Sequence, residues 1–234
     1  TLLTVAQAED EVIVRLESSG GMVHAYGLAA AQLARIKEAG LNLTVCIDKV
    51  AASGGYMMAC VADKILAAPF AVVGSIGVVA QVPNFHDLLE KHDIDVEVFT
   101  AGKYKRTVTV FGENTEEDKQ KFQQELEETH KLFKDFVRKY RPSLDVEQVA
   151  TGEHWYGEDA ITRNLVDALQ TSDSYILEKM TDSELYAIQS RQKPTIAQKL
   201  GISQAAQAVV ATAIDKLPDT LAKLESAKMP MVKK

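Results

Sequence analysis

The sequence predicts an α/β fold, a mostly parallel sheet with flanking helices. Three observations carry this. Between residues 1 and 110, short apolar runs alternate with helical patterns across tight glycine turns, the rhythm of βαβ units. Residues 115–140 then read as one long amphipathic helix. The 234-residue chain is 46% hydrophobic and 25% charged, which suits a globular protein with a sizeable core. That composition excludes wholesale disorder, collagen and a disulfide-stapled mini-protein. A formal charge of −7 argues against general nucleic-acid binding. No apolar run approaches the roughly 18 residues a membrane-spanning helix needs. The chain opens on Thr1 without a signal-peptide pattern, so any membrane anchor is expected upstream.

Residues 12–16 (VIVRL) read as a buried strand, followed by the Gly20-Gly21 turn and a helix over about 25–39 that Gly40 can cap. Residues 43–47 (LTVCI) form the next strand. Ser53-Gly54-Gly55 opens a short helix over 56–62, and 64–67 (KILA) returns as a strand before Pro69. Residues 76–80 and 96–99 are further strand candidates. Thr115 and Asp118 make a capping-box start for the long helix, with Phe122, Leu126, Phe133, Val137 and Tyr140 on its apolar face, and Arg141-Pro142 ends it. Two short helical pieces are expected within 145–170, around the turn at 152–157. From Ser190 onward the chain holds eight Lys/Arg against three Asp/Glu. Residues 190–234 are therefore expected to be a basic, Ala-rich helical tail, distinct from a domain over 1–189. Cys46 and Cys60 sit in apolar runs and read as small buried hydrophobes. No Cys/His cluster has zinc-ligand spacing, so no metal is expected.

Ser53 lies between a buried strand and a helix, among the smallest residues. A nucleophile suits that setting, because its Oγ stands at a turn beside the next backbone N–H and the helix dipole. An isolated Ser-Gly-Gly is more often a helix N-cap. Gly20 and Gly21, directly after a strand, offer N–H groups of the kind an oxyanion needs. The base is left open by the residues themselves. His24, His86, His92, His130 and His154 have no context pairing them with Ser53, though His24 follows the double glycine. Lys103 and Lys105, in the run Gly102-Lys103-Tyr104-Lys105-Arg106, are lysine alternatives.

Taken in order, Ala51-Ala52-Ser53-Gly54-Gly55-Tyr56, then Ala62-Asp63-Lys64-Ile65, then Gly74-Ser75-Ile76-Gly77-Val78 resemble the signal peptide peptidase A family of serine peptidases, and within it the SohB-type membrane branch. The resemblance runs from Val12 to about Leu169. It implies a ClpP/crotonase-like fold and a Ser–Lys dyad, with Ser53 as nucleophile and Lys105 as general base, Lys103 being the runner-up. It further implies Ser75 as the residue orienting the lysine, and Gly54 and Gly20 as the oxyanion hole, Gly20 being preferred to Gly21. It implies no cofactor and no metal. It also implies peptide substrates of membrane-derived or signal-peptide type, a homo-oligomer whose adjacent subunits share the dyad, and a bacterial inner-membrane location with a periplasmic catalytic domain. Ser19 stands where the family usually has proline. The family's anchor and first strands would precede Val12.

Other readings remain possible from sequence. A crotonase-type acyl-CoA enzyme would use carboxylates such as Glu17 and Asp48. A Ser–His–Asp peptidase would need His24 or another histidine. A catalytically weak scaffold would leave Ser53 unreactive.

Overall fold

The computed structural model describes residues 2–188. Its compact unit ends at Ser183, and a second unit starts at Glu184, whose described residues 184–188 carry no helix or strand. The tail expected over 190–234 lies outside the described residues.

The frame is a four-stranded parallel sheet built from β1 (Glu11–Arg15), β2 (Asn42–Ile47), β4 (Lys64–Ala67) and β7 (Ala168–Leu169), in the order β1-β2-β4-β7. Between β1 and β2 runs α1 (Val23–Glu38), as a parallel pair requires of its crossover. β2 is buried over five of its six residues, from Leu43 to Ile47, so its near-continuous apolar run reads as a central parallel strand. A second, three-stranded sheet is made of β3 (Val50–Ala52), β5 (Val72–Gly74) and β6 (His154–Tyr156), with β3 and β5 parallel and β6 antiparallel. Ser18 bridges to Ala51 and so lies beside β3 on its other side.

Between β3 and β4 lies α2 (Gly54–Ala59), packed against α1 and buried at five of its six residues. Tyr56 is the largest wholly buried side chain among the described residues, and its hydroxyl donates to the Leu165 carbonyl at 2.9 Å. Nearby, Arg141 forks onto Asp167 through two bonds of 2.9 and 2.8 Å and also donates to the Asn164 carbonyl. Asp167 in turn accepts from Ile65 N–H at 2.7 Å. These bonds tie the segment after α6 (Gly157–Thr162) to the sheet and to the helix carrying Tyr56.

The long helix is α4 (Glu116–Tyr140), opened by the expected Thr115–Asp118 capping box. Only its C-terminal half, through Phe133 and Val137, reaches the core. Before it comes α3 (His86–Glu90), and after it α5 (Val146–Val149). Residues 145–170 thus hold the two short helices expected, α5 and α6, with β6 in what the sequence suggested was a turn.

Residues 76–80 and 96–99 are not strands. A strand needs a neighbouring backbone for its N–H and C=O groups, and among the described residues no backbone group pairs with these segments. Val79 is 90% exposed and Phe99 87%. The region folds instead as an arm closed at its neck. Asn84 Nδ2 donates to the carbonyls of Thr109 and Gly112, both at 3.0 Å. Phe85 N–H donates to Val110 O at 2.8 Å, and Asn114 exchanges bonds of 2.8 and 2.9 Å with the Thr109 backbone. Lys103, Tyr104 and Lys105 lie between the two sides of that neck.

The last helix, α7 (Ser172–Lys179), is strapped to the sheet by two carboxylates. Asp48 accepts from Ser172 N–H and its hydroxyl, and Glu11 accepts from Tyr175 OH at 2.6 Å and Lys179 Nζ at 2.8 Å. Burial pushes both carboxyls up, but the hydrogen bonds outweigh it and hold both below their ordinary values. Both cysteines are free and buried, and burial pushes the Cys46 thiol up to about 11 and the Cys60 thiol up to about 12, so neither is a reactive thiolate.

Two outcomes follow from this packing. Tyr56→Phe leaves the Leu165 carbonyl unpaired in the core and is expected to lower stability by about 1–2 kcal/mol, read as a urea midpoint shift at constant slope. The strap carboxylates have folded-state values below their unfolded ones, so their stabilisation is full above about 4.5 and is lost as pH falls through the lower folded values. Below that pH the amides of α7 are expected to lose hydrogen-exchange protection before those of β2. Glu11→Gln with Asp48→Asn should flatten that acid dependence.

Candidate active site

Ser53 joins β3 to α2 with φ 54° and ψ −120°, a left-handed backbone that non-glycine residues rarely adopt. Such a conformation costs on the order of 1–3 kcal/mol and persists only where its surroundings enforce it. Here they do. Ser53 N–H donates to the Gly74 carbonyl at 2.8 Å, which extends the β3–β5 ladder by one residue, and Ser53 O accepts the first helical bond, from Met57 N–H. The serine occupies the N-cap position of α2, yet its side chain makes no capping bond. The N-cap explanation of Ser-Gly-Gly therefore fails, and the half-buried hydroxyl is left for other chemistry.

Gly20 lies directly over Ser53. Its φ is +94°, and a Cβ there would stand 2.8 Å from Ser53 Cβ and 2.9 Å from Gly54 N, so no larger residue fits. Gly54 is buried, and its N–H makes no hydrogen bond among the described residues. Gly20 N–H donates to Ser18 Oγ at 3.2 Å, whereas Gly21 N–H has no partner among the described residues.

Ser75 follows β5 immediately, one place beyond the Ala52–Gly74 pairing, and so sits beside Ser53. It too has a left-handed backbone, φ 51°, fixed by its N–H donating to the Glu153 carbonyl at 2.7 Å. On the next residue, the Ile76 carbonyl accepts from His130 Nε2 on α4 at 3.2 Å. The fold thus brings Ser53, Gly54, Gly20 and Ser75 together.

Lys105 is not tied to that group. It lies exposed on the arm, and its side chain makes no hydrogen bond or ion pair among the described residues. Lys103 differs: its Nζ is 2.7 Å from a Glu117 carboxylate oxygen and 5.0 Å from the Tyr104 ring centre. The Glu117 hydrogen bond, helped by Tyr104, pushes Lys103 well above the ordinary lysine value, so it stays a cation.

The other sequence candidates are occupied or remote in chemistry. Glu17 is ion-paired with Lys49 at 3.1 Å, and Asp48 is committed to Ser172 and Arg15. No histidine among the described residues hydrogen-bonds Ser53, and His24 and His154 are exposed. His86, Asp87 and Glu90 could offer three metal-ligand atoms within 4.8 Å of one another, but they belong to a short, largely exposed helix on the arm. The sequence reading missed the Ser18 and Tyr26 contacts around the glycines. Tyr26 falls three residues into α1, and periodicity alone marks it only as one apolar position among several.

The model of peptidase family S49 matches residues 35–186, and that of its N-terminal region matches residues 1–33. The chain belongs to peptidase family S49, and its α/β architecture is consistent with the ClpP/crotonase-like fold. It is 64% identical over 200 residues to a protein named probable protease SohB from Haemophilus influenzae, covering 86% of this chain and 57% of that one. It is 58% identical over 188 residues to the protein of the same name from Buchnera aphidicola subsp. Acyrthosiphon pisum, covering 80% of this chain and 56% of the relative. The chain therefore spans a little over half the length of these curated relatives. No helix among the described residues is long and apolar enough to cross a membrane.

Gly20→Ala puts a methyl group against Ser53 Cβ and forces an unfavourable backbone. It is expected to reduce the reactivity of Ser53 toward a fluorophosphonate by roughly 100-fold or more, with far-UV circular dichroism showing the fold retained.

Proposed function

We propose that this chain carries the catalytic part of a serine peptidase working through a Ser53–Lys105 dyad. The observation that supports it most is Ser53 itself, a strained, uncapped serine beside the unpaired N–H of Gly54. In this reading Ser53 Oγ attacks the peptide carbonyl as neutral Lys105 takes its proton. Gly54 N–H and one N–H of the Gly20–Gly21 pair hold the oxyanion, each donor contributing about 3 kcal/mol. Because Gly20 N–H is already given to Ser18, Gly21 is favoured for that second place over Gly20. Protonated Lys105 then donates to the leaving amine, and water, deprotonated by Lys105, releases the acyl group from Ser53. Ser75 orients the lysine amine.

The ion pair with Glu117 counts against Lys103 as the base and favours Lys105. Lys105 has no competing side-chain partner among the described residues, and it sits on an arm where Val79, Phe99 and Phe111 are exposed. Both facts support a dyad completed when the arm meets a neighbouring copy, as a homo-oligomer would allow. The names of the relatives support proteolysis. Substrates of membrane-derived or signal-peptide type, and a bacterial inner-membrane setting with the catalytic part in the periplasm, complete the proposal.

Fluorophosphonate labelling with intact mass tests it. The adduct is expected on Ser53 and absent from Ser53→Ala and Lys105→Ala. An assembled wild type that stays unlabelled would count against a peptidase and favour a scaffold. Labelling that survives Lys105→Ala would move the base elsewhere. Mixing the two inactive variants is expected to restore part of the activity if adjacent subunits share the dyad. No recovery, with mixed assembly confirmed, places the dyad within one chain.

A further inference from the structure

The loop holding the candidate oxyanion donors is braced by a pair of side chains outside the dyad. Ser18 is locked beside β3 at both of its backbone polar groups: its N–H donates to Val50 O at 2.9 Å, and its carbonyl accepts from Ala52 N–H at 3.0 Å. Its hydroxyl is 2.7 Å from the hydroxyl of Tyr26 and accepts Gly20 N–H at 3.2 Å. The Tyr26 ring lies against both donor segments at once. A Cβ on Gly54 would run into Tyr26 Cγ, and one on Gly21 would stand 2.9 Å from Tyr26 Cε2. One aromatic side chain, rooted in α1, therefore touches the glycine after the nucleophile and the glycine pair facing it, and its hydroxyl fixes the turn between them.

We infer that Tyr26, acting through Ser18, is the positioning residue that sets the spacing of the Gly54 and Gly20–Gly21 N–H donors. This inference rests on the peptidase reading. The physical need is clear. Oxyanion donors are effective only when held in place before charge develops, and glycines are the residues that lose most freedom when so held. Ser19 supplies no stiffness of its own, being exposed with its N–H unpaired among the described residues. The Ser18–Tyr26 bond supplies the constraint from the side.

The test is steady-state peptidase kinetics on the intact protein with a fluorogenic peptide, together with inhibition by a peptide boronate, which forms a tetrahedral adduct on serine. Tyr26→Phe keeps the ring and removes the hydroxyl. It is expected to lower kcat about tenfold and weaken the boronate by a similar factor, with KM within twofold of wild type. Ser18→Ala should lose at least as much, because it removes the Gly20 N–H acceptor as well as the bond to Tyr26. The double variant should be no worse than Ser18→Ala alone, because the Ser18–Tyr26 bond is already absent there. Ser19→Pro is expected to restore most of the Tyr26→Phe loss. Proline fixes φ at a position where φ is not positive and no hydrogen bond is lost, and it favours the extended backbone that Ser18 has.

Wild-type kcat in Tyr26→Phe, with the wild type cleaving peptide, would overturn the inference alone. So would losses in KM and thermal stability that Ser19→Pro leaves untouched, since those describe packing only. A wild type that neither cleaves nor accepts the boronate would overturn the peptidase reading and this inference together.

Discussion

The left-handed backbone of Ser53 is the constraint on which the rest of the site depends. An L-residue does not hold φ 54° and ψ −120° unaided. The conformation is imposed by β3 pairing with β5 up to and beyond Gly74, and by α2 starting at the very next residue. It survives because Gly20, Gly54 and Gly55 have no side chains where their neighbours press closest. Behind the site, α2 is buried on nearly every residue and fastened at its core face by Tyr56 to the segment that Arg141 and Asp167 hold.

Much of this frame was legible in the sequence, for physical reasons that differ by element. The runs at 12–16, 43–47 and 64–67 are apolar, β-branched and bounded by turns, and they became β1, β2 and β4 within a residue or two. The α4 start was readable because Thr115 and Asp118 stand at capping-box spacing, and the box is formed. The second sheet was not readable. Its strands are three residues long, too short for a period to show, and β6 includes a histidine and two aromatics in what composition alone marks as a turn. Residues 76–80 and 96–99 misled in the opposite direction. Their β-favouring composition is real, but a strand is a pairwise object, and the partner is not supplied by the described residues.

The candidate site was legible to the same mixed degree. Ser53, Gly54 and the double glycine could be singled out because glycine and serine at strand ends carry a definite meaning about backbone, whereas Ser75 was marked only by the family resemblance. Which glycine N–H is free could not be read, since it turns on Ser18 Oγ, a side chain two residues upstream with no pattern to mark it. The choice between Lys103 and Lys105 was likewise undecidable from spacing. It is informed by Glu117, twelve residues beyond Lys105 and brought back to Lys103 by the start of α4.

The clasped neck of the arm has a consequence for how this region can vary. Closing a loop has an entropic cost that grows only with the logarithm of its length, about 0.6 kcal/mol for each doubling. In this chain closure is secured by Asn84, Asn114 and the Thr109 backbone, all at the base. Insertions or exchanges at the far end of residues 84–112 would therefore disturb neither the closure nor the sheet beneath it. The anchorage at the base thus separates two demands: the sheet beneath is indifferent to what the far end carries, and the far end answers only to the task of the residues on it.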